Sequence, residues 1–136
     1  MRRTIAFALA AALATLACGA RDEKKVTQVD AAEVAKDKEV LDQLRMVGSD
    51  LSKPHRIEFY LYLPTQADAE AAAGVLRTVG YSVTVREGVN SINWLCLAAR
   101  TMMPTTRELS DARIVFKRVA LRYRGVYDGW DAAIQR

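Results

Sequence analysis

Apolar residues alternate with polar or amphipathic ones from Ile57 to Leu63. Ile57, Phe59, Leu61 and Leu63 take one side, and Glu58, Tyr60 and Tyr62 the other. A period of two predicts a strand with one strongly apolar face, and Pro64 ends it. Tyr81, Val83 and Val85 repeat the pattern against Ser82, Thr84 and Arg86, with a turn expected over Glu87 to Ser91. From Ile92 to Ala99 nearly every residue is apolar, as expected of a central strand buried on both sides.

Between these runs the period lengthens. Thr65 can cap a helix whose Ala69, Ala72, Leu76 and Val79 lie along one stripe, and Gly80 closes it. Alanines on that stripe would let the helix sit close to a sheet. After Pro104, Thr105 and Glu108 form a capping box for the longest amphipathic helix. Its Leu109, Ala112, Phe116, Val119 and Tyr123 recur at spacings of 3, 4, 3 and 4. Gly125 is expected to end that helix, and Val126-Tyr127 to begin a short last strand. Upstream, Asp30 and Glu33 suit the start of a first helix carrying Val34, Leu41, Leu44 and Val47, with Gly48 as its stop. Past this first helix the order is strand, helix, strand, strand, helix, strand. That order predicts an α+β ferredoxin-like sandwich (βαββαβ) with an additional N-terminal helix, over residues 30–136.

Residues 1–29 follow a different logic. Met1-Arg2-Arg3 is a charged start, and Ile5 to Ala17 is an apolar stretch too short to span a hydrocarbon core of ~30 Å comfortably. Residues 1–17 therefore read as an export signal. The ending Ala14-Thr15-Leu16-Ala17-Cys18 is similar to the lipobox of bacterial lipoproteins, in which the cysteine is acylated and becomes the new N-terminus. Cleavage after Ala20, which would discard Cys18, is the competing reading. Several acyl chains on Cys18 would make a stable anchor at ~0.8 kcal/mol per buried CH₂. Residues 18–29 read as a polar tether, and the domain is expected in the bacterial envelope, facing the periplasm.

Charge and composition then narrow the classes of function. The formal net charge is +4, but removing Arg2 and Arg3 leaves 18 basic against 16 acidic residues, which argues against a general polyanion binder and against nucleic acid. His55 is the single histidine, and Cys96 is the one thiol left once Cys18 is acylated, so no internal disulfide can form. Cys96 lies in an apolar strand, where a thiol is usually a small buried hydrophobe. Paired metal-ligand spacings and phosphate-loop glycines are absent from the sequence. No catalytic residue, metal site or cofactor is expected, and no pattern fixes an oligomeric state.

Two surfaces remain as candidates for contact. The last helix and its exit carry Arg107, Arg113, Lys117, Arg118, Arg122 and Arg124 against Glu108 and Asp111. This basic face reads as solvated surface, or as a site for an acidic protein partner or anionic lipid. Tyr60 and Tyr62 project from the face of their strand opposite Phe59, and Trp94 could join them. Aromatics there would cover the sheet against the N-terminal helix or form a protein interface.

The chain also carries Tyr127-Asp128-Gly129-Trp130 directly after the basic helix, and a "GSDLSKP" run from Gly48 to Pro54. Together these resemble the RraB family of small regulators named for inhibiting ribonuclease E, whose domain likewise closes on a Tyr-Asp-Gly-Trp segment. The resemblance spans Asp50 to Trp130 and implies the same ferredoxin-like fold and a non-enzymatic role through a protein partner. It marks Asp50, Pro54, Tyr127, Asp128, Gly129 and Trp130 as family positions. The residues themselves read more simply, as an Asp-Gly turn with Gly129 at positive φ and Trp130 folded back onto the core. A cytosolic inhibitor of ribonuclease E is the alternative to an exported binding domain.

Overall fold

The computed structural model describes Lys25 and residues 28–136; the signal segment, Cys18 and most of the tether lie outside the described residues. Helix α1 runs Ala31–Met46, followed by β1 (His55–Leu63), α2 (Gln66–Thr78) and β2 (Ser82–Glu87). A single 3₁₀ turn, Val89–Ser91, leads to β3 (Trp94–Met102), α3 (Thr106–Arg122) and β4 (Val126–Ala132). The strands form one antiparallel sheet in the order β2-β3-β1-β4. Two interleaved β-α-β units thus place β1 and β3 at the centre, the ferredoxin-like arrangement expected from the element order.

The odd residues of β1 bury themselves completely: Ile57, Phe59 and Leu61 have no exposed surface, and Leu63 almost none. On their side lie Ala69, Ala72, Ala73 and Leu76 of α2, each fully buried, so the small side chains do bring this helix close to the sheet. From α3 come Leu109, Ala112, Phe116 and Val119. Phe59 stacks on Phe116 at 4.7 Å between centroids, and Tyr81 meets both edge-on at 5.7 and 5.1 Å. Val79, expected on the buried stripe of α2, is instead 44% exposed at the helix C-cap, beyond the stripe's last covered turn.

The three helices α1, α2 and α3 stop by one device. The residue two past each final helical position is left-handed, and the amide after it returns to a carbonyl five residues back: Ser49 to Leu44, Tyr81 to Leu76 and Gly125 to Ala120. Glycine fills the left-handed position at Gly48 and Gly80, but Arg124 takes it in the third case, at φ 56°. Gly125 is therefore not the left-handed residue. A Cβ there would stand 2.6 Å from both the Tyr62 carbonyl oxygen and Leu63 Cδ1, so glycine is needed for close approach to β1.

Helix α1 lies beside α3 in the helix layer, not on the opposite face of the sheet. That opposite face carries Tyr60 and Tyr62 with Leu95 and Leu97 of β3, of which Leu95 is buried and the other three partly so. Trp94 does not join it: register pairs Trp94 with Leu63, which turns its ring to the helix side. A strand apolar on both faces carries no phase information, and only pairing decides which residue points where.

Candidate functional site

The family positions of β4 meet α1 at the edge of the sheet. Phe59 pairs with Trp130 and Leu61 with Tyr127, so two residues of β1 oppose three steps of β4. The extra residue is a β-bulge at Asp128-Gly129, with Gly129 at φ 104°. The Asp-Gly pair is thus a bulge inside a continuous strand, not a closing turn. Its effect is one of phase. Residues three apart on a regular strand face opposite sides, and the bulge returns Tyr127 and Trp130 to the same, helix-covered side.

On that side Tyr127 stacks against Phe116 at 5.5 Å, and half-buried Trp130 packs against the same core cluster. The indole Nε1 donates to Asp37 Oδ1 of α1 at 2.9 Å. Asp37 is itself only 4% exposed, and its other oxygen accepts from Arg113 Nη2 of α3. Glu33, one turn earlier on α1, accepts from Lys117 Nζ at 2.7 and 2.8 Å and lies 3.6 Å from Arg113 Nε. A buried charge is tolerated only where it is paired and hydrogen-bonded, and both conditions hold for Asp37 and Arg113.

A groove of about 330 Å³ remains between α1 and the bulge, lined by Lys36, Val40, Asp128, Gly129 and the Tyr127 and Trp130 rings, with the ion pair at its floor. The Tyr127 hydroxyl is buried there and finds no hydrogen-bond partner among the described residues. Burial pushes the phenol well above its ordinary range, with the nearby Arg113 charge opposing the shift, so it stays neutral. A neutral, unpartnered phenol is a donor in want of an acceptor.

The other family positions serve the far end of the domain. Asp50 accepts from the Ser52 amide at 3.0 Å and hydroxyl at 2.6 Å, and those bonds hold its carboxyl below the usual range. Its own amide donates to the Gln135 carbonyl at 2.7 Å, and the Gln135 amide donates to Ser49 Oγ at 3.0 Å. The run before Pro54, itself exposed, therefore clasps the chain beyond β4. His55 completes the clasp from a fully buried position. Its Nδ1 lies 2.8 Å from the Lys53 carbonyl, which can only accept, so Nδ1 carries a proton, and its Nε2 shares a hydrogen bond with the Ser49 hydroxyl at 2.7 Å.

The six basic residues divide. Arg113 and Lys117 are spent on α1, whereas Arg107, Arg118 and Arg122 are exposed on α3. Arg124, beyond the helix, reaches Asp68 at 3.5 Å. The buried role of Arg113 had one sequence signal, an acidic pair at Glu33 and Asp37 spaced one turn apart. Charged residues default to the surface, which hides such a pair until the fold is known.

No reacting constellation assembles from the polar residues singled out in the sequence. Cys96 lies opposite Leu61, six residues along β1 from His55, a separation of roughly 20 Å. Its thiol donates to the Ala69 carbonyl at 3.0 Å, and burial pushes it up to about 11. Asp131 accepts from the Tyr60 hydroxyl at 2.8 Å on the face away from Phe59, and that bond pushes the phenol up to about 12. Asp128 is exposed at the groove, with its side chain unbonded among the described residues.

These features define a ferredoxin-like domain whose distinctive residues organise contact surfaces. The family model described as "Regulator of ribonuclease activity B" matches residues 34–132, from the first turn of α1 to the end of β4, and the chain belongs to this RraB family. No curated protein matches it.

Proposed function

We propose that this chain is a non-enzymatic regulator that acts by binding another protein, and that it is carried on the periplasmic side of the bacterial envelope by acylation of Cys18. The observation that carries the regulatory reading is the family match across the whole folded domain, residues 34–132. It is supported by the way the polar residues are used, in a clasp, a bulge and an ion-pair network. The tether and anchor rest on the Met1 to Cys18 sequence alone. The family's description as a regulator of ribonuclease activity supports a second reading, in which the chain regulates a ribonuclease and would have to be cytosolic.

Fractionation separates the two. Acylated protein in the envelope pellet that turns soluble on Cys18→Ala supports the anchored regulator, and wild-type protein wholly in the cytoplasm rules out the anchor. A pull-down from detergent-solubilised envelopes, with Cys18→Ala as the comparison, then identifies the partner by mass spectrometry.

A further inference from the structure

Helix α1 rests on a surface that it does not fill. Only Asp37 and Leu41 are buried along its length, with Leu44 partly buried against the core, so the apolar part of the attachment is small. The rest is charge and hydrogen bonding: Arg113 and the Trp130 indole on Asp37, and Lys117 on Glu33. Seen from the domain, this surface is a receptor. Two cations and an indole N–H are placed to read carboxylates one helical turn apart, and an apolar seat for a leucine follows one turn later. Nothing in that geometry requires the helix to belong to the same chain.

Two observations mark α1 as an imperfect occupant. A groove of about 330 Å³ stays open between it and the bulge. The buried hydroxyl of Tyr127, a residue that lines the groove, has no hydrogen-bond partner among the described residues, α1 included. An unmade hydrogen bond of this kind disfavours the present seating. A helix with an acceptor at that point would sit better.

We propose that the surface made by Arg113, Lys117, Tyr127 and Trp130 is a docking site for an acidic helix of a protein partner, with carboxylates four residues apart and a leucine four beyond, and that α1 is its resident competitor. Binding displaces α1, and the occupant's acceptor takes up the Tyr127 hydroxyl. This rests on the reading that the chain works through protein contact, and it adds the chemistry of that contact.

The probe is a fluorescein-labelled peptide of residues 30–47 added to the full chain. Asp37→Asn loosens α1 in place while the peptide keeps its own carboxylates, so this variant should bind the peptide roughly tenfold more tightly than wild type. Adding Arg113→Met to the same chain should abolish binding. Failure of Asp37→Asn to bind, or binding that survives Arg113→Met, overturns the proposal. Hydrogen exchange on the wild-type chain guards against a variant that does not fold. Amides of α1 should exchange well before those of α2, and equal rates would mean that α1 never leaves. Cytoplasmic location would remove the anchor and leave these results standing. A partner captured from envelopes together with a null peptide result would remove this docking site alone.

Discussion

Helices α1 and α2 have similar lengths and lie in the same layer, yet they are attached by opposite means. Helix α2 buries Ala69, Ala72, Ala73 and Leu76 completely, and the Cys96 thiol donates into its backbone from the sheet. Helix α1 buries one leucine and one aspartate, with Leu44 only partly buried beside them. The first attachment is close packing, which nothing in water can replace. The second exchanges charge partners that another protein can also supply. A buried ion pair adds little net stability over a well-packed apolar contact, but it does specify what may sit there. The comparison separates a helix that completes the fold from one that occupies a place on it.

Substitutions on the two sides should differ in size and kind. The largest effect belongs to the packed side: Phe59→Ala, which empties the centre of the Phe116 and Tyr81 cluster, should cost about 3–5 kcal/mol in denaturant melts. A loss below about 1 kcal/mol would mean that the aromatic cluster is not what holds α2 and α3 to the sheet. Next is Trp130→Ala, on the boundary between the two regions. The ring is half-buried and its indole bond to Asp37 is lost, so the expected cost is about 2–3 kcal/mol. That loss should come with faster hydrogen exchange in α1 and little change in α2. Equal acceleration in both helices would erase the distinction.

The smallest effect is a titration. The Cys96 thiol is held neutral to about 11, above its ordinary 9.0, so the unfolded chain gives up this proton before the folded one does. Its contribution is therefore complete below pH 9 and fades as the pH rises to about 11, by up to about 2 kcal/mol. Cys96→Ala should flatten that part of the alkaline profile. A slope unchanged by the substitution would mean that water reaches the sulfur and that the α2 interface is not dry.

The sequence disclosed the packed side far better than the charged one. Alternation in β1 and the alanine stripe of α2 both translate directly into burial, because an apolar residue at the right period has one destination. For α1 the same reasoning selected Val34, Leu41, Leu44 and Val47, of which only Leu41 is fully buried, while Val47 is 53% exposed. Asp37 carries no such signal, because a carboxylate reads as surface unless its partner is known, and Arg113 lies 76 residues away. Tyr127, Asp128, Gly129 and Trp130 were legible as a unit, with positive φ expected at Gly129. Their arrangement as a bulge was not, since it depends on register against β1, which no local spacing encodes.

The clasp between Ser49, Asp50 and Gln135 has a topological consequence. It joins residues 86 positions apart and so closes the whole sheet, with α2 and α3, into one loop of chain. Every helix inside that loop must open against its closure. Helix α1 precedes residue 49 and hangs outside the ring, so lifting it away opens no closed loop and adds no closure entropy to what its own contacts cost.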